Sequence, residues 1–127
     1  MKKTKVGIIG LGYVGLPVCL SFSKKYETIG FDIDKDKIKL LKKNYSKKNK
    51  KLMLTHEISK LKSCNLYIVI VPTPVDKYNI PDLTLLRKAC ESLGELIAKS
   101  DTIIFESTVY PGVTEDVCGR ILSKKSK

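Results

Sequence analysis

The sequence predicts an α/β domain built on a doubly wound parallel sheet of about five strands, ordered 3-2-1-4-5. Three observations carry this. Short apolar runs alternate with amphipathic stretches along the whole chain, the pattern of strand–helix–strand units joined by right-handed crossovers. The run Leu66–Val71 is apolar throughout, without polar alternation, as in a strand covered on both faces of a parallel sheet. Glycines close the first apolar run and an aspartate closes the second, where a parallel sheet places its ligand-binding turns.

Taken in order, Val6–Ile9 is the first strand and ends at Gly10. A helix is expected over Leu16–Tyr26, with Pro17 in its first turn, where a missing N–H costs nothing. Thr28–Phe31 is the second strand, closed by Asp32. Asp36–Tyr45 follows as a helix with Ile38, Leu41 and Tyr45 on one face, and Asp34 is placed to cap it. After the polar connection Asn44–Lys50, Lys51–Thr55 reads as a weak third strand and Ile58–Leu61 as a short helix or turn. Pro72 and Pro74 stop the fourth strand.

The longest helix is expected next, capped by Asp82, with Leu83, Leu86, Cys90, Leu93 and Ile97 as its apolar face. Thr102–Phe105 is a fifth strand and Ser107–Val113 a loop. Thr114 can cap a last helix, where Glu115 and Asp116 complement the dipole and Val117, Cys118, Ile121 and Leu122 face inward.

At 127 residues and 43% apolar content, residues 1–127 read as one domain with a packed core. That excludes a disordered tail and a disulfide-stapled mini-protein. No apolar run approaches the roughly 20 residues that span a bilayer, so no membrane partner is expected. The N-terminus lacks the long greasy stretch and cleavage site of a signal peptide.

The net charge is +11, concentrated between Lys35 and Lys62, where eleven lysines face only Asp36 and Glu57. The stretch holds no arginine, and Tyr45 is its lone aromatic. It therefore reads as a solvated face and not as a specific nucleic-acid surface. Cys19, Cys64, Cys90 and Cys118 form no C-x-x-C pair, and His56 is the sole histidine, so no metal site is expected. Cys19, Cys90 and Cys118 sit among apolar residues as small buried hydrophobes of a reducing compartment. His56 reads as a surface residue.

The chemistry gathers at Gly10-Leu11-Gly12-Tyr13-Val14-Gly15. This G-x-G-x-x-G run follows a predicted strand, opens a predicted helix and lies 22 positions, counted from Gly10, before Asp32. Gly10 permits the tight turn, Gly12 lets a pyrophosphate approach the backbone, and Gly15 lets the helix pack closely. The helix N-terminus favours phosphate. Asp32 can accept from both hydroxyls of an adenosine ribose, which favours NAD over NADP. Lys37, one turn into the next helix, can reach toward the same ribose. Two further loops, Val71–Asp76 and Glu106–Gly112, follow strands four and five. The strand order reverses between strands one and four, so the three loops should line one crevice.

These residues resemble the N-terminal NAD-binding domain, of Rossmann type, of the UDP-glucose/GDP-mannose dehydrogenase family. The matching stretches are Val6–Pro17, Gly30–Asp34, Val71–Pro74 and Glu106–Gly112. The longer runs Val71–Leu83 and Glu106–Cys118 are most like the branch that oxidises UDP-N-acetylhexosamines. The resemblance implies that Gly10, Leu11, Gly12, Tyr13, Val14 and Gly15 hold the pyrophosphate of NAD, and that Asp32 and Lys37 serve the ribose. Thr73 and Pro74 would border the cofactor. Ser107 and Thr108 would lie near the nicotinamide, with Thr108 in a supporting catalytic role.

It further implies an NAD-dependent 6-dehydrogenase that oxidises a UDP-sugar to a UDP-uronic acid for surface polysaccharide synthesis in the cytoplasm, as a homo-oligomer when complete. Two departures stand out. The connection Asn44–Lys50 is shorter than the family's usual one. The central helix, the substrate domain and the nucleophilic cysteine have no counterpart, so residues 1–127 are expected to be a partial chain that turns over no sugar unaided. The alternative is a non-enzymatic NAD-binding or regulatory fragment.

Overall fold

The computed structural model describes residues 3–106 and 118–125. Five strands form one parallel sheet: β1 (Lys5–Ile9), β2 (Glu27–Phe31), β3 (Leu52–Thr55), β4 (Leu66–Val69) and β5 (Thr102–Phe105). Their order is β3-β2-β1-β4-β5, as the sequence predicts. β1 sits at the centre, with Val6 level with Thr28 on one side and Leu66 on the other.

Two helices, α1 (Gly15–Phe22) and α2 (Lys35–Tyr45), cover one face of the sheet. Helix α3 (Thr84–Gly94), the short helix α4 (Arg120–Lys125) and a 3-10 turn over Ile58–Ser63 cover the other. Each face has its own core. Val6, Ile8, Leu54 and Ile68 pack with Cys19, Ile38 and Leu41 on the first. Ile9, Tyr67 and Val69 pack with Leu61, Leu86, Cys90, Leu93 and Cys118 on the second. Neighbouring residues of the central strands therefore serve opposite cores, which is why β1 and β4 lack polar alternation. All four cysteines are buried as free thiols.

The boundaries depart from the sequence reading in instructive ways. α1 ends at Phe22, short of Tyr26. The Ser23 hydroxyl donates to the Leu20 carbonyl, and Lys24, Lys25 and Tyr26 leave through tight turns. Tyr26 still packs on the core beside Phe22, so its apolar signal reports burial and not helix. β4 ends at Val69 because its next ladder bond, from Ile70 N to Ile9 O, is followed by Val71 and then by Pro72, which has no N–H.

α2 and α3 are of equal length, 11 residues each. Asp82 holds the start of α3 through a bond from Thr84 N, one residue ahead of the position expected of a cap. The expected cap of the last helix (Thr114) and Glu115, Asp116 and Val117 lie outside the described residues. Cys118 is buried, and Ile121 and Leu122 pack on the second core as expected. Among the described residues no helix is long and apolar enough to cross a membrane.

Candidate cofactor-binding site

The crevice opens at the carboxyl ends of β1 and β4, where the strand order reverses. Its volume is about 410 Å³, and its walls are Gly10–Gly15, Asp32 and Lys37 on one side and Ile70–Thr73 with Glu106 on the other. The glycine loop and the loop after β4 thus meet, with Glu106 beside them, while residues 107–112 of the third loop lie outside the described residues.

The glycines differ in what they do. Gly10 has φ +103°, a conformation costly for any residue with a side chain, and a Cβ there would overlap the Ile70 carbonyl. A Cβ on Gly15 would overlap the Gly10 carbonyl, so the first turn of α1 could not close onto the end of β1. Gly12 is unlike both. Its φ is ordinary, and a Cβ there would meet no atom of the described residues within 4 Å. The fold has no need of glycine at this position, which lies in the crevice wall.

Asp32 follows β2 and is 9% exposed. Its Oδ2 accepts from Leu11 N at 3.1 Å and Lys37 Nζ at 3.2 Å, and its Oδ1 accepts from Asp34 N at 3.0 Å. Burial works to raise its pKa. The bonds from the Asp34 and Leu11 amides and the Lys37 ammonium outweigh burial and hold the carboxyl below its usual range. The group is ionised at neutral pH, and the stability it contributes is lost only as pH falls through that lowered pKa. Asp34 caps α2, accepting from Asp36 N and Lys37 N, as the sequence suggested.

A second cavity of about 250 Å³ adjoins the first beyond Asp32 and Lys37. Ile33, Pro72 and Leu85 give it apolar walls, and Lys88 and Ser92 of α3 line it as well. Sequence reading missed this cavity. Lys88 and Ser92 are one turn apart on a helix with an exposed face, and only the packing of α3 on the sheet brings them to Asp32.

Thr73 lines the crevice, but Pro74 does not: it is exposed, and its carbonyl accepts from Asp82 N at 2.7 Å. Pro74 helps close the base of the following loop. Ser107 and Thr108 lie outside the described residues. His56 is half-buried at the end of β3 and does not line the crevice.

No cysteine has a nucleophile's environment. Burial pushes the Cys19 thiol up to about 12 and the Cys64 thiol up to about 11, and it also raises Cys90 and Cys118.

A phosphate-approachable glycine turn, an ionised acid after the second strand and a crevice at the switch point define a dinucleotide-binding domain. The comparisons give its family. The NAD-binding domain of the UDP-glucose/GDP-mannose dehydrogenase family matches residues 4–127, and the chain belongs to that family.

It is 44% identical to a UDP-N-acetyl-D-glucosamine 6-dehydrogenase of Pseudomonas aeruginosa, across 99% of this chain and 32% of the relative. It is likewise 44% identical to Protein CapL of Staphylococcus aureus, across 95% of this chain and 31% of that one. The fold superposes on a UDP-D-ManNAc dehydrogenase of Pyrococcus horikoshii with a TM-score of 0.87 and 31% identity, covering 97% of this chain and 32% of the other. The chain thus spans about a third of the length of the relatives it matches.

Proposed function

We propose that residues 10–15, Asp32, Lys37 and Thr73 hold NAD in the crevice, and that the domain serves a 6-dehydrogenase that oxidises a UDP-sugar to a UDP-uronic acid. The observation that carries the cofactor assignment is Gly12. Gly10 and Gly15 are required by the chain's own backbone, whereas the space beside Gly12 is filled by no part of the described protein. A pyrophosphate drawn to the backbone amides of the α1 turn accounts for the missing side chain. Asp32 fits the adenosine ribose, because it is ionised and already fixed by two backbone amides. The apolar cavity beyond it suits the flat faces of adenine.

When bound, NAD supplies the hydride acceptor. The residues of this chain bind and orient it. The likeness to a UDP-N-acetyl-D-glucosamine 6-dehydrogenase supports an N-acetylhexosamine as the sugar. A place in surface polysaccharide synthesis, in the cytoplasm, is assigned by the family resemblance of the sequence alone. Ser107 and Thr108 remain assigned to the nicotinamide side by resemblance, and Thr108 to a supporting catalytic role. The raised thiols support the further reading that these residues, unaided, form no covalent sugar intermediate.

Calorimetric titration tests the cofactor assignment. The chain should bind NAD in preference to NADP. A hydrogen bond to a charged group is worth about 1.5–3 kcal/mol, so Asp32→Ala should weaken NAD binding about tenfold or more. Equal affinity for the two cofactors in the unsubstituted chain would contradict the assignment.

A further inference from the structure

We infer that Lys37 is a specificity-determining residue: its ammonium is a latent ligand for a 2′-phosphate, and the single carboxylate of Asp32 keeps it from acting as one. The inference rests on the reading that the adenosine ribose binds at Asp32.

Among the described residues two lysines make ion pairs. Lys5 reaches Glu27 at 3.9 Å on the surface, where a pair contributes little. Lys37 reaches back across the end of β2 to Asp32 at 3.2 Å, against a carboxylate side chain only 11% exposed. The backbone fixes the start of that reach, since Lys37 N is held by the Asp34 cap.

A carboxylate has about four lone-pair positions. Leu11 N and Lys37 Nζ take the two on Oδ2, and Asp34 N takes one on Oδ1. A ribose diol that engages both oxygens must therefore displace Lys37 from Oδ2. The ammonium, on its flexible stem, is then left beside the 2′ position. A second cation, Lys88, lines the adjoining cavity together with Asp32 and Lys37.

The charged side chains that line the two cavities are Asp32, Lys37, Lys88 and Glu106, of which Lys37 is the one bonded to Asp32, and Asp34 is engaged in capping α2. Rejection of NADP is a balance of charge and not a matter of space. Removing Asp32 does more than delete a ribose acceptor, because it uncovers a cationic pocket that suits a phosphate.

NAD and NADP titrated into four forms of the chain test this: the unsubstituted chain, Asp32→Asn, Lys37→Met and the double variant. Asp32→Asn should raise NADP affinity about tenfold or more, given charges a few ångströms apart at a partly exposed site. In the Lys37→Met background that gain should shrink below about threefold, and Lys37→Arg should preserve it. Lys37→Met alone should weaken NADP more than NAD.

A gain of equal size with and without Lys37 would overturn the inference while leaving the cofactor assignment intact. Failure of the unsubstituted chain to bind NAD would remove the assignment and the inference together. Circular dichroism and melting establish that each variant folds. If Asp32→Asn does not, the shift in NADP-to-NAD preference on Lys37→Met decides alone, and no shift overturns the inference.

Discussion

The two halves of the sheet hold their shape by different means. In the β1–α1–β2 half, backbone meets backbone. Gly10 N donates to Phe31 O, Gly15 packs against the Gly10 carbonyl, and the Leu11 and Asp34 amides fix Asp32. In the β4–α3–β5 half, side chains do this work. The Tyr67 hydroxyl donates to the Leu61 carbonyl at 2.8 Å within a fully buried core. The loop beyond β4 folds around Asp76, whose Oδ1 accepts from Tyr78 N and Ile80 N while Val75, Tyr78 and Ile80 stay exposed. The first half is a preformed cradle, closed against the backbone at Gly10 and Gly15 and open at Gly12. The second is a packed wall carrying an outlying loop, and tolerance to substitution should follow that division.

The largest effect should come from Gly15→Ala. Its Cβ has only the Gly10 backbone to displace, and such overpacking should cost about 3 kcal/mol or more. Chemical denaturation would read the loss, and a near-neutral result would break the comparison. Tyr67→Phe should cost less, about 0.5–1.5 kcal/mol, because it removes one of two hydrogen bonds to the buried Leu61 carbonyl, which keeps its bond from Cys64 N, and it leaves the ring in place. NAD affinity of the folded fraction should be unchanged. Asp76→Ala should have the smallest effect. It removes two bonds from an exposed turn, so stability should change by about 0.5 kcal/mol and NAD affinity by less than about twofold. A large loss of NAD binding there would make the outlying loop part of the cradle.

The same division explains what the sequence made legible. The glycine turn, Asp32 and the Asp34 cap are local devices set by residue type and spacing, and each stands where the sequence puts it. Strand order followed from the alternation of elements and the handedness of crossovers. The misses are tertiary. Tyr26 extended the helical pattern although its half-buried ring packs on the core from a turn. Pro74 shares a motif with Thr73, but its carbonyl is turned to Asp82, so one residue lines the crevice and its neighbour does not. Lys88 and Ser92 carry no spacing signal, since docking of α3 on the sheet is what brings them beside Asp32.

Gly12→Val gives the most direct test of the central claim, that the glycine turn is shaped by a ligand as well as by the fold. The backbone there accepts a side chain without strain, and losing a glycine reduces the freedom of the unfolded chain. The variant should melt within about 2 °C of the unsubstituted chain, or slightly above it. Its affinity for NAD, titrated under the same conditions, should fall about tenfold or more, because the branched side chain occupies the pyrophosphate's approach. Unaltered NAD affinity in a folded Gly12→Val chain would contradict the account.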